Sequence, residues 1–205
     1  MKKFIMMVVA AMMATISVNA QTEAGQFYLK PMVGGTLAKL TGTDAAKFKL
    51  GLVGGAEVGY QIADPFAITA GVLASMQGAK YKDDKYSRDG KATLTYLNIP
   101  ILANLYVVKG LAIKAGVQPG FLLSAKSKGE ELVDGQWYKF DESGTEDMEK
   151  FDFSIPVGLS YEFSNFIIDA RYNIGLTNVS KTAKALDTSI KNSVFMLTIG
   201  YKIHL

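Results

Sequence analysis

Eight ionisable residues stand where the surrounding sequence leaves them little water. Lys30, Lys114, Arg171 and Lys202, and against them Glu57, Asp152, Glu162 and Asp169, each lie between two apolar neighbours. Four cations match four carboxylates. A balanced set on one inward face points to pairing, because an unpaired buried charge is costly. Counted from the nearest turn signals, Lys30, Glu57, Lys114, Asp169, Arg171 and Lys202 fall at similar depth, which predicts bridges from Lys202 to Asp169 and from Lys30 to Glu57. The first reading is a salt-bridged plug; the second is a narrow gated or proton-linked pore.

Other chemistry finds few carriers. His204 is the single histidine, one residue from the end, so a His-dependent triad at the outer rim and a His-rich metal site are both excluded. Gly34-Gly35 and Gly54-Gly55 precede no helix and are strand glycines, not phosphate loops. No cofactor and no metal is expected, and the protein is read as a non-enzyme. Residues 126–150 hold the only tryptophan, Trp137, beside Tyr138 and Phe140, in a stretch with an excess of acids. Asp141, Glu142, Glu146 and Asp147 could gather a divalent cation, but their spacing fits no EF-hand loop, and solvated surface charge is preferred. Exposed aromatics in a long loop on a rigid scaffold are where a partner would bind, so Trp137, Tyr138 and Phe140 are the interaction candidates.

The elements that position these residues have a period of two. From Phe151 to Phe163 every odd position is apolar, while Asp152, Ser154, Pro156, Gly158, Ser160 and Glu162 fill the even ones. The same alternation runs through Phe27–Leu37, Leu50–Ile62, Phe66–Met76, Leu97–Val107, Leu111–Ala125, Ile168–Leu176 and Phe195–Leu205, eight strands in all. Connections alternate in length. Short turns fall at Ala63-Asp64-Pro65, Val108-Lys109-Gly110 and Ser164-Asn165, and longer polar loops at about 39–47, 81–91, 126–150 and 179–190. Short turns at one end and long loops at the other belong to a transmembrane barrel.

An eight-stranded soluble barrel shares the period but needs its large apolar side chains inside. Here the second face is built of glycines, among them Gly51, Gly59, Gly71, Gly116, Gly158 and Gly200, interspersed with the ionisable groups, which suits a crowded lumen. Aromatics band at both ends of the apolar face: Phe27, Tyr60, Phe66, Tyr161, Phe163, Phe166 and Tyr201 at one, Phe48, Phe121, Phe151, Phe153 and Phe195 at the other, as interfacial girdles do. The expected fold is all-β, an eight-stranded antiparallel up-and-down transmembrane β-barrel.

The chain opens with Lys2 and Lys3, an uncharged run from Phe4 to Val18, and small residues before Gln21, the pattern of a secretory leader cleaved near Ala20-Gln21. Residues 1–20 are therefore read as signal peptide and 21–205 as one barrel domain. Cysteine is absent, so no disulfide staples the exported chain. The formal charge of +3 includes Lys2 and Lys3, leaving too little basic excess for a nucleic-acid partner.

With this leader, the alternation and the terminal stretch Thr198-Ile199-Gly200-Tyr201-Lys202-Ile203-His204-Leu205, the chain resembles small outer-membrane β-barrels of the OmpX-like and PorT-like porin family. In that family a terminal polar residue, a glycine two later and apolar residues at the last alternate positions are read by the barrel-assembly machinery; Thr198, Gly200, Ile203 and Leu205 match, with aliphatics where aromatics are commoner. The resemblance implies an outer-membrane location, with lipid and that machinery as partners. The expected function is a structural or adhesion-type interaction barrel whose outer loops meet an extracellular or envelope protein. A small porin or secretion-apparatus accessory barrel is the alternative, and a soluble periplasmic ligand-binding barrel the second.

Overall fold

The computed structural model describes residues 23–205, so the expected leader and its cleavage point lie outside the described residues. Its strands are β1 (Phe27–Thr41), β2 (Ala46–Lys47), β3 (Lys49–Ala63), β4 (Phe66–Tyr81), β5 (Ser87–Asn98), β6 (Ile101–Val108), β7 (Leu111–Val133), β8 (Gln136–Ser143), β9 (Phe151–Phe163), β10 (Phe166–Gly175), β11 (Lys191–Tyr201) and β12 (Ile203–His204). A short helix, α1, spans Lys181–Ala185. Every pairing is antiparallel, from β1 through β3, β4, β5 with β6, β7, β9 and β10 to β11, which returns to β1. β12 continues β11 along β1. Eight staves thus close a ring with no free edge, the condition for crossing lipid with strands.

β5 and β6 make a single stave. Pro100 has no N–H to give, yet the register runs unchanged across it, Leu73 opposite Asn98 and Ala70 opposite Ile101 on one side, Asn98 opposite Gly120 and Ile101 opposite Val117 on the other. Two short turns rest on left-handed backbone, at Gly110 (φ +80°) and Ser164 (φ +51°).

The faces are sorted as a lipid-facing barrel requires. Val33, Leu52, Leu159 and Ile199 point outward and are more than half exposed, whereas Lys30, Thr36, Glu57, Thr69 and Asn104 are buried inside. A soluble barrel would reverse this order. Aromatic pairs mark both ends of the apolar band: Phe27 with Tyr60 (centroids 4.6 Å apart) and Phe166 with Tyr201 (5.2 Å) near the short turns, Phe121 with Phe151 (5.7 Å) near the outer end.

The outer segments hold more strand than their polar composition suggests. Residues 126–150, expected as a loop, instead carry β7 on to Val133 and return as β8. The turn is Asp134-Gly135, both with positive φ (49° and 78°), closing Val133 against Gln136. Two consecutive left-handed residues match the right-handed twist of the flanking strands, which is why Asp-Gly favours a two-residue hairpin. β5 begins at Ser87, inside the expected 81–91 loop, because it pairs with this extension. β5, β7 and β8 together form an arm that rises from the barrel mouth.

Candidate functional site

The inward charges form two connected groups. In the first, Lys30 and Glu57 are cross-strand partners on β1 and β3, with Nζ and Oε2 2.5 Å apart. Across the lumen, Arg171 of β10 donates through Nη1 to Glu57 (2.5 Å) and through Nε and Nη2 to both oxygens of Asp169 (2.6 and 2.8 Å). Lys114 of β7 donates to Asp169 at 2.5 Å, and Lys30 lies 3.5 Å from the same oxygen. Three cations therefore share two carboxylates. The fork of Arg171 makes it the natural centre, since a planar guanidinium can hold two carboxylates at once.

This cluster fits because its neighbours are small. Gly158 faces Arg171 on one side and Lys114 on the other, and a Cβ there would stand 3.0 Å from Arg171 Cα and 3.1 Å from its Cγ. The packing leaves Lys30, Asp169 and Arg171 each 1% exposed, so a water-sized sphere does not reach them. At this level the lumen is filled by side chains, as expected for a ring of eight strands.

The second group lies nearer the short turns. Lys202 pairs with Glu162 at 2.5 Å, Glu162 accepts from the Tyr106 hydroxyl at 2.5 Å, and the Lys202 ammonium sits 4.4 Å from the centre of the Tyr28 ring. The expected bridge from Lys202 to Asp169 does not form. Asp169 is opposite Thr198, four residues up the closing strand from Lys202, a displacement of roughly 13 Å. The register of this one strand pair separates two residues that turn-counting places at one depth. Asp152 pairs with no cation among the described residues and accepts instead from Thr177 Oγ1 (2.6 Å) and Asn192 Nδ2 (2.9 Å). Of the terminal residues, Thr198 and Gly200 are buried, and Ile203 and Leu205 are exposed at the strand's end.

The outer mouth is partly covered. Val179, fully buried, packs on Leu40, Ala46 and Ala79, and Met148 bridges to Ser180 beside α1. A cavity of about 480 Å³ remains at the foot of the arm, lined in part by Tyr81, Leu94, Ser127, Glu142 and Asp147. Among the described residues no three carboxylates or histidines gather to hold a metal, and Asp141 is taken by Lys128 at 2.5 Å.

On the arm the three aromatic candidates part company. Trp137 lies under the Arg88 guanidinium (4.1 Å to the ring centre), and Arg88 also pairs with Glu130 at 2.5 Å. Tyr138 and Phe140 occupy the opposite face, Tyr138 exposed and Phe140 half-buried against Gly129. The role of Arg88 was not visible in the sequence, since its position opposite Glu130 depends on the hairpin. Asp134-Gly135 was the signal that could have revealed it.

A family model described as outer membrane protein beta-barrel domain matches residues 16–181. Among solved structures, the attachment invasion locus protein Ail of Yersinia pestis is similar with a TM-score of 0.51 at 14% identity, over 88% of this chain and 99% of that one. Neisserial surface protein A matches with a TM-score of 0.49 at 12% identity, over 86% and 97% of the two chains. OprG of Pseudomonas aeruginosa matches with a TM-score of 0.41 at 16% identity, over 91% and 99%. No curated protein sequence matches the chain. At 14% identity the likeness to Ail is one of fold.

Proposed function

Because the chain belongs to the outer membrane protein beta-barrel domain family, and is thus an outer-membrane β-barrel protein, we propose that it works as a closed barrel displaying an interaction arm and not as a diffusion channel. The observation that carries this reading is the Arg171 cluster, where cations and carboxylates from four staves interlock, all of them buried at 5% exposure or less. Opening a path there would strip paired charges of their partners, a costly step in a low-dielectric interior. The arm supplies what the lumen lacks. Among the described residues β8 pairs only with β7, so one edge of the arm offers unpaired backbone groups, and Val133 and Tyr138 are about half exposed beside it. An extended segment of a protein partner could add to such an edge, with the apolar side chains setting preference.

Single-channel recording in planar bilayers tests the closed state. The expected result is no conductance steps above leak in the wild type; steps that Arg171→Ala alters would instead make the protein a pore. Binding to envelope or extracellular protein extracts, lost when Val133 and Tyr138 are replaced by serine, would support the arm.

A further inference from the structure

On the exterior of the outer rim the register sets four lysines side by side. Lys47 of β2 faces Lys80 of β4, Lys80 faces Lys91 of β5, and Lys91 faces Lys128 of β7. Directly opposed residues on one sheet face bring their Cβ atoms within roughly 4.5–5.5 Å, where like charges destabilise. Lys128 is answered by Asp141, but among the described residues no carboxylate pairs with Lys47, Lys80 or Lys91. All three are exposed, and the row points outward, since Ala46 and Ala79 beside it are buried on the inner face.

Height identifies what could answer them. Along β4 the outward residues below Lys80 are Gly78 and then Met76, where the apolar band begins; Lys126 stands in the intermediate row, opposite Thr93. Lys80 is thus roughly 13 Å along the strand from Met76, or about 9 Å in height at a strand tilt near 45°. The headgroup layer extends roughly 5–8 Å beyond the hydrocarbon. A lysine stem bends readily toward an interface, so these ammonium groups reach headgroup level. We propose that Lys47, Lys80 and Lys91, with Lys126 beneath, form a docking surface for net-anionic, phosphate-bearing lipid headgroups of the outer leaflet. Acyl chains then continue down the same flank over Met76 and Leu123, both exposed. An acidic protein would explain the charges but not their continuity with the apolar band. The assignment holds whether or not the barrel conducts.

Trp137 is the only tryptophan and provides a native energy donor near the row. The full-length mature protein would be placed in phosphatidylcholine vesicles carrying a trace of dansyl-labelled lipid, either anionic phosphatidylglycerol or zwitterionic phosphatidylcholine. The expected result is several-fold stronger transfer to the anionic probe, reflecting roughly fivefold preference per lysine near an anionic surface. The preference should collapse in Lys47→Gln/Lys80→Gln/Lys91→Gln and persist in a charge-matched control, Lys109→Gln/Lys150→Gln/Lys184→Gln. Removing opposed like charges should leave the row variant at least as heat-resistant as wild type in phosphatidylcholine, which separates lost binding from lost folding. Equal transfer to both probes in the wild type, or equal loss in both variants, would overturn the proposal.

Discussion

Asp169 takes hydrogen bonds or ion pairs from Arg171, Lys114 and Lys30, and Glu57 takes them from Lys30 and Arg171, so the central cluster holds one cation more than its carboxylates answer. That excess makes the two signs of substitution unequal. Asp169→Asn leaves three cations facing one carboxylate and is expected to cost about 3–5 kcal/mol, the usual penalty for breaking a buried ion pair. Lys114→Met keeps the volume, leaves two cations with two carboxylates, and should cost about 1 kcal/mol or less. The check is the temperature at which each variant, extracted in detergent, loses its fast-migrating folded form on a gel. A larger loss for Lys114→Met would show that Lys114 is no surplus charge. The sequence exposed part of this site. Lys30 and Glu57 were legible as partners because neighbouring staves carry them at similar depth from the short-turn end. The partner of Lys202 was not, because the direct register of the closing strand against β10 sets Lys202 level with the Ser164-Asn165 turn, four residues from Asp169.

At the scale of elements, alternation revealed all eight staves, including the one that passes Pro100, since an apolar exterior forces strict period two. It failed above the membrane. There neither face of a strand meets the hydrocarbon layer or a packed core, so β7 beyond Ala125 and all of β8 read as charged loop. Their order rests on backbone pairing and on the turn at Asp134-Gly135. Gly135→Val puts a β-branched side chain at φ 78°, a conformation costing about 1–3 kcal/mol for such a residue. The tip of the hairpin should fray, and Trp137, now only 37% exposed under Arg88, should become wetter. The expected readout is a red shift in tryptophan emission with the heat-dependent gel shift unchanged. An unshifted emission would mean that Arg88 and Glu130 hold the arm without its turn. The lysine row was equally hidden, since its four members come from four separate strands and meet only through register.

At the scale of the whole molecule, the ring and the arm differ in how their backbone is secured. Each stave of the ring is hydrogen-bonded on both sides and encloses interlocked charges, so no stave can leave without opening a buried cluster and a lipid-facing edge. The arm has a free edge at β8, and its ion pairs, Arg88 with Glu130 and Lys128 with Asp141, are partly exposed and contribute little. It should therefore be dispensable for folding. Lys126 and Ser143 are direct cross-strand partners, so residues 127–142 can be replaced by a two-residue Asn-Gly turn without altering the pairings below. The shortened protein is expected to reach the outer membrane, keep its folded gel mobility up to nearly the wild-type temperature, and lose whatever partner binding the arm confers. Should the ring instead fail to form, the strand pairing of β5 with the upper part of β7 would have to be a step in closing the barrel, and the arm would be part of the scaffold it stands on.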